Sequence, residues 1–306
     1  MASLADLAEL VRAPAALSVP GDVLAGAAAA GVLDRRTPAL AGASVLLYWA
    51  GMAANDWADR RLDAVERPER PIPSGRVSPP AALGLAAGLT AAGLALATAA
   101  GGRRAAAVAV PLATTIWGYD LLAKNTAAGP AVMAACRGLD VLLGAASAGP
   151  GRAPAAGRAG ASASRGCGSP SAGRRLARAL PAALTVAAHT WTVTALSRRE
   201  VGGADRRLPR ATLAGTALVA ATALGRADPV PVALAAGYAT RYGAAQARVL
   251  ADPSPGRVRT AVTAGITGLP ALQGALTARA GARLLGLAVA AAAPLGRRLA
   301  RLVSPT

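Results

Sequence analysis

NDWADRRLDAVERPERPIPSGR, residues 55–76, holds five of the fifteen acidic residues of a 306-residue chain whose formal charge is +18. The five are Asp56, Asp59, Asp63, Glu66 and Glu69. An α-helix turns about 100° per residue, so Asn55, Asp56, Asp59 and Asp63 fall on one face, within roughly a quarter turn. Carboxylates held this close repel one another unless something cationic lies between them. Hard divalent cations such as Mg²⁺ suit the set, because they take one or two carboxylates and complete their shell with water and substrate phosphate. A solvated acidic helix face has the same pattern, and the surrounding composition decides between the two.

That composition is 54% hydrophobic and only 16% charged, with a positive mean hydropathy. Apolar runs recur between clusters of Arg, each near the ~20 residues that cross a bilayer as a helix. Ala and Gly dominate them and Phe is absent. Small residues of this kind let membrane helices approach closely. No basic region, apolar core and cleavage site occur in that order at the amino end, so no removable signal peptide is expected.

In order, residues 1–12 form a short amphipathic lead at the interface. Spans follow at about 14–33, 38–54, 79–100, 105–122, 127–148, 180–196, 211–225, 230–249 and 258–277. The second delivers the acidic ladder at its end. A tenth apolar stretch, 283–297, is a thin span or an interfacial helix. The fold expected is an all-α transmembrane bundle of about nine, possibly ten, helices in a single domain over 1–306. Residues 149–178, rich in Gly, Ala, Ser and Arg without periodicity, read as a flexible loop. Within the fifth span Arg137 and Asp140 stand three apart. A buried charge in a span tends to face a cavity or a partner, so these two form an internal ion pair or Arg137 faces a substrate.

Short cytoplasmic loops carry the excess of positive charge. With the amino terminus inside, the loops after spans two, four, six and eight hold the only Lys, Lys124, and far more Arg than the opposite short loops. Both charged clusters, 55–76 and SRREVGGADRR at 197–207, then lie on the cytoplasmic side, and the two loops are expected to meet over one cavity. The paired glycines Gly202 and Gly203 suggest a turn that brings Glu200 and Asp205 together.

This arrangement resembles the UbiA superfamily of intramembrane prenyltransferases, which have about nine membrane helices and two acidic motifs in cytoplasmic cap loops. NDxxDxxxD is present as Asn55, Asp56, Asp59 and Asp63, followed by RPIPSG at 70–75. Tyr119 and Lys124 stand where the family has a diphosphate-contacting pair. The second motif departs from the family pattern: Glu200 and Asp205 replace two or more Asp spaced four apart, as in less-characterised bacterial branches.

The resemblance implies Mg²⁺-dependent transfer of an isoprenyl group from an allylic polyprenyl diphosphate to an aromatic or other lipophilic acceptor in the cell membrane. Asp56, Asp59 and Asp63 would be the catalytic carboxylates. Asn55, Asp56, Asp59, Asp63, Glu200 and Asp205 would hold metal, which stabilises charge on the leaving diphosphate. Lys124, Tyr119, Arg70, Arg198 and Arg137 would bind that diphosphate. Partners implied are the donor, a lipophilic acceptor and membrane lipids.

Other residues have plainer readings. His189 is a packed residue bonded to a neighbouring helix, and Trp117 and Trp191 are interfacial anchors. Cys136 and Cys167 make neither a metal site nor a disulfide framework. The scattered Arg residues lack an aromatic-rich domain, so lipid headgroups rather than nucleic acid are their partners. The DxxDGxxAR signature of CDP-alcohol phosphotransferases is missing, since Arg60 and Arg61 follow Asp59. The remaining alternative is a non-enzymatic membrane carrier that keeps the prenyltransferase fold.

Overall fold

The computed structural model describes residues 2–13, 18–147, 171–224 and 228–292. All regular structure among them is helical: α1 Leu4–Leu10, α2 Pro20–Ala30, α3 Thr37–Glu66, α4 Pro79–Gly118, α5 Gly129–Ala145, α6 Ala172–Ser197, α7 Arg207–Ala223, α8 Pro229–Ala251, α9 Pro255–Arg279 and α10 Arg283–Ala292. Three are long and apolar enough to cross a membrane, namely Thr37–Glu66, Pro79–Ala123 and Ala172–Ser197.

Local chemistry sets the boundaries. Proline begins α2, α3, α4, α5, α8 and α9 within their first two positions, where its missing N–H is no loss. The first apolar run was expected from residue 14, but its helix starts at Pro20. The helix α3 runs unbroken from its apolar half through the acidic ladder and stops at Glu66, because Arg67 precedes Pro68 and leaves the helical region at φ −147°. In α4 the chain doubles back at Gly102, whose φ of +66° and ψ of −157° are open to a residue without Cβ. Trp117 Nε1 then donates to Thr90 Oγ1 at 3.1 Å across this hairpin. The break expected at Arg103 and Arg104 is therefore real, and Trp117 is tied to the opposing leg. At the other end of the loop expected over 149–178, residues 172–178 are already the first turns of α6. Residues 149–170, with Cys167, lie outside the described set, as do residues 293–306.

The helix α2 is the centre of the bundle. Its Val23 packs with α3, α4 and α5, while its Ala25 joins the core built by α5 to α9. The contact with α5 is backbone on backbone. A Cβ at Gly26 would collide with the Val141 carbonyl, and one at Gly144 with the Val23 carbonyl. Without hydrophobic driving force in lipid, such close approach supplies the dispersion contact that holds helices together.

The helix ends fall on two levels. At one, Lys124 reaches Asp59, Arg198 donates to the Thr126 carbonyl, Ala204 N donates to Pro253 O at 3.1 Å, and Arg259 Nη1 to Glu200 O at 3.0 Å. At the other, Arg175 Nη1 donates to Ser147 O at 3.1 Å, Arg279 donates to the Thr222 carbonyl, and Arg283 pairs with Asp228 at 2.6 Å. Both charged clusters thus stand at the same end, and the loops over 119–128 and 198–206 touch there.

Candidate active site

The acidic ladder of α3 forms the floor of that end. Asp56 and Asp63 are each 4% exposed. Isolated carboxylates there would be costly, and each has a cation. After Glu66 the chain winds back on itself through Ser74 Oγ to Arg70 O at 2.7 Å and Val77 N to Pro71 O at 2.8 Å. That loop turns Arg70 toward the helix it has just left, where Nη1 lies 2.7 Å from Asp63 Oδ2 and 3.4 Å from Asp56 Oδ1. Arg12 closes the other side, with Nη2 2.7 Å from Asp56 Oδ1. Arg12 has φ +46°, an unfavourable value for a residue with a Cβ. Its Nη1 also reaches Met52 Sδ at 3.6 Å.

Lys124 is placed by an irregular turn. After α4 the chain makes one π turn, Tyr119–Ala123, with Lys124 N bonded to Tyr119 O at 2.9 Å. The extra residue per turn rotates the chain beyond it, and such turns are frequent at functional sites. Lys124 Nζ donates to Asp59 Oδ1 at 2.6 Å and to Asn55 Oδ1 at 3.0 Å.

Of the residues singled out in the sequence, Asn55, Asp56, Asp59, Asp63, Arg70 and Lys124 therefore form one connected group. Arg198 joins its edge through Thr126, and Tyr119 lines the cavity below. The second cluster contributes differently. Asp205 Oδ1 accepts from Arg207 N at 3.1 Å and Leu208 N at 3.0 Å, capping α7. These backbone donors, Leu208 first, hold its carboxyl below the usual carboxylate range. Glu200 lends its carbonyl to Arg259. Gly203, at φ +75°, lies against Pro253, so the glycine pair does make the expected turn. Arg137 is set apart, deep in α5: its Nε lies 2.7 Å from Asp22 Oδ2 of α2 and its Nη2 donates to Ser18 O at 3.2 Å. Neighbouring Asp140 accepts from Ser44 of α3. The ion pair is between helices, not within α5 as the spacing of Arg137 and Asp140 suggested.

Two adjoining cavities of about 300 and 270 Å³ run inward from this group and share Ser18, Tyr119, Arg137 and Ile266 as walls. The second contains His189, whose Nδ1 is 2.8 Å from Tyr238 OH on α8, the packed role expected of it. Residues that the sequence did not flag are Arg12, Asp22 and Asp120. For Asp22 a signal existed, as an acidic residue inside an apolar run needs a partner. For Arg12 there was none beyond its nearness to the amino end.

Among the described residues no three His, Cys, Asp or Glu side chains gather as a ready cage for a metal ion. The oxygen donors of Asn55, Asp56, Asp59 and Asp63 are of the hard kind that Mg²⁺ takes, one or two carboxylates at a time with water and phosphate oxygens.

The family comparison decides the lineage. The model of the UbiA prenyltransferase family matches residues 18–262. The chain belongs to the UbiA prenyltransferase family. It is accordingly an integral membrane protein. Sequence relatives include the digeranylgeranylglyceryl phosphate synthase of Methanothrix thermoacetophila, 45% identical over 80 residues, which are 25% of this chain and 30% of that enzyme. The enzyme of the same name from Halobacterium salinarum is 34% identical over 147 residues, 47% of this chain and 53% of that one. The bacteriochlorophyll synthase 33 kDa chain of Cereibacter sphaeroides is 54% identical over 35 residues, 11% and 12% of the two. Each match spans about half or less of the relative's length. Among solved structures, a UbiA homologue from Archaeoglobus fulgidus bound to DMAPP and Mg²⁺ aligns with TM-score 0.60 and 14% identity over 94% of this chain and 99% of that one. An apo UbiA homologue from Aeropyrum pernix aligns with TM-score 0.62 and 18% identity over 89% and 96%. At these identities the likeness is one of fold.

Proposed function

We propose that this UbiA-family protein transfers an isoprenyl group from an allylic polyprenyl diphosphate to a lipophilic acceptor, in a Mg²⁺-dependent reaction at the cytoplasmic face of the membrane. The observation that carries the reading is charge balance at the end of α3. Three carboxylates, Asp56, Asp59 and Asp63, face three cations, Arg12, Arg70 and Lys124. The set is neutral, so a diphosphate entering it needs further positive charge. Asn55, Asp56, Asp59 and Asp63 present the hard oxygen donors that would hold Mg²⁺, with Glu200 and Asp205 on the facing loop. Bound there, Mg²⁺ supplies Lewis acidity to the leaving diphosphate.

The chain's own residues do the rest. Lys124 and Arg70 can leave their carboxylates and donate charge-assisted hydrogen bonds to the phosphate oxygens, where negative charge develops as the allylic C–O bond breaks. Arg198 and Tyr119 extend this surface toward the second loop. The apolar cavities beneath exclude water, so the developing cation meets the acceptor first. Arg137 lines both cavities but is committed to Asp22; it shapes the floor of the site, and direct diphosphate contact would require it to leave that carboxylate. The cytoplasmic placement rests on the Arg and Lys residues of the loops at this end.

The test uses the full chain in nanodiscs with labelled geranyl, farnesyl and geranylgeranyl diphosphates, Mg²⁺ and a host lipid extract. Release of pyrophosphate with formation of a prenylated lipid, abolished by EDTA, is expected. Tight binding of the diphosphates with no release under any condition would overturn the enzyme reading in favour of a carrier that keeps the fold.

A further inference from the structure

We propose that the end of the bundle opposite the acidic ladder holds a site for one anionic glycerophospholipid, with its phosphate between Arg178 of α6 and Arg279 of α9 and an acyl chain in the groove between α6 and α7. The inference goes beyond the prenyltransferase reading and does not depend on it.

Two cavities adjoin there. A groove of about 460 Å³ runs between Leu180, Leu184 and Ala188 of α6 and Leu218 and Val219 of α7. The three α6 residues stand four apart, so they share one helix face. Leu184 and Leu218 are 61% and 66% exposed, and in a bilayer what covers them is hydrocarbon. The groove's two hydroxyls, Thr185 Oγ1 and Thr222 Oγ1, bond to each other at 3.1 Å, so a chain of methylenes meets no unpaired polar side chain. The second cavity, of about 190 Å³, is lined by Ala29 of α2, Arg178 and Ala182 of α6, and Leu276 and Arg279 of α9. Pro181 is a wall of both. Arg279 links them again, because it donates to the carbonyl of Thr222, which lines the groove.

The second cavity is basic with no acid to balance it. No Asp or Glu lines either cavity. Arg279 gives Nη1 to the Thr222 carbonyl, one of the acceptors that the end of α7 leaves without a helical partner. Neither Arg279 nor Arg178 has a carboxylate partner among the described residues, whereas Arg283, four residues after Arg279, pairs with Asp228 at 2.6 Å. Two guanidiniums thus line one small cavity at the level of the helix ends, directly beside an apolar groove. A guanidinium binds phosphate oxygens through paired N–H donors, and basic pockets between membrane helices take anionic headgroups. A zwitterionic head would bring a cation of its own into a site that already holds two. A free phosphate would leave the groove unfilled. Only an anionic lipid satisfies both cavities, and bound there it fastens α6, α7 and α9 to one another.

The test uses the purified full chain, stripped of lipid in detergent, with phosphatidylglycerol and phosphatidylcholine of identical acyl chains. Native mass spectrometry is expected to show one phosphatidylglycerol retained, with affinity about tenfold or more above phosphatidylcholine, the worth of one charge-assisted hydrogen bond. Arg178→Gln combined with Arg279→Gln should erase that preference. Arg104→Gln, at an exposed position of the α4 hairpin outside both cavities, should leave it. Equal retention of the two lipids, or an equal loss in Arg104→Gln, overturns the proposal. Displacement of the lipid by inorganic phosphate at matched concentration would mark an anion site without a lipid and overturn it too. A wild type that runs as a dimer free of lipid would give the groove to a second copy, with the same result.

The placement is tested without any variant. Phosphatidylglycerol carrying a diazirine midway along one chain, photolysed with the protein in nanodiscs, should label the peptides holding Leu184 or Leu218. Label confined to other helices defeats the assignment whatever the affinities. None of these readouts involves prenyl transfer, so failure here leaves the prenyltransferase reading standing, and failure of that reading leaves the lipid site to be judged by its own measurements.

Discussion

Lys124 Nζ lies 2.6 Å from Asp59 Oδ1, a contact between residues 65 positions apart that joins the π turn after α4 to the middle of the acidic ladder. Asp59 is the one ladder carboxylate held by an amine rather than a guanidinium, and a lysine is the cation that most easily exchanges one oxygen partner for another. Loss of either partner should therefore fall on the chemistry of diphosphate departure.

Asp59→Asn keeps the shape of the site and removes one negative charge from the donor set proposed for Mg²⁺. Prenyl transfer is expected to fall by roughly 100- to 1000-fold, the effect of deleting one preorganised electrostatic group, with the protein still folded in the membrane. Glu69→Gln, beyond the end of α3, should change little. Near-normal turnover of Asp59→Asn at saturating Mg²⁺ would contradict the metal assignment.

Arg12→Gly separates binding from folding. Glycine is at ease at the φ of +46° that Arg12 adopts, so the backbone should hold or gain stability. The cation over Asp56 is lost. Affinity for labelled geranyl diphosphate at fixed Mg²⁺ is expected to drop about tenfold or more, the worth of one charge-assisted hydrogen bond. Unchanged affinity would mean that Arg12 serves only to neutralise Asp56.

The amino-terminal clasp should depend on pH in one direction. Arg76 holds Asp6 at 2.8 Å and Glu9 at 2.7 Å, fastening α1 to the loop after α3. Hydrogen bonds from Ser3, then Arg76, lower the Asp6 carboxyl from 3.8 to about 2. A carboxyl whose pKa is lower in the folded state stabilises that state above its unfolded value and ceases to as pH falls through the folded one. The clasp is thus at full strength above about 3.8 and lost toward about 2. Pepsin, active across that window, should cut within residues 3–11 readily at about pH 2 and slowly at about pH 4, with a free peptide of the same sequence correcting for its own pH profile. Equal relative cutting at both would show that the clasp does not hold α1.

Much of this was legible in the sequence because it is local. The ladder is a matter of spacing on one helix, the hairpin at Gly102 sits between two apolar runs, and His189 in a span needs a partner. The features that escaped depend on irregular backbone or distant pairing. Arg12 reaches Asp56 only through a left-handed residue. Asp120 faces the cavity from a π turn, which regular helical periodicity does not describe. Asp22 and Arg137 meet across the length of four helices, so the nearer Asp140 looked the better partner. Asp205, read as a ligand by composition, also caps the first turn of α7, a role that composition does not show.

That distant pair yields the last prediction. Asp22 is fully buried and Arg137 nearly so, and Gln273 Nε2 on α9 donates to Asp22 Oδ1 at 2.7 Å and Ser18 O at 2.7 Å. The group ties α2, α5 and α9 together where the two cavities meet. Removing one partner strands a buried charge, which typically costs about 3–5 kcal/mol. Asp22→Ala should therefore lose most of its folded population in detergent, and Arg137→Met likewise. Replacing both at once removes the stranded charge, so Asp22→Leu with Arg137→Met should recover much of the stability lost by either single change, while the floor shared by the two cavities becomes wholly apolar. The measurement is thermal unfolding in matched detergent for the wild type, the singles and the double. A double variant less stable than both singles would show that the pair is not the unit holding these helices, and that each residue acts through a separate partner.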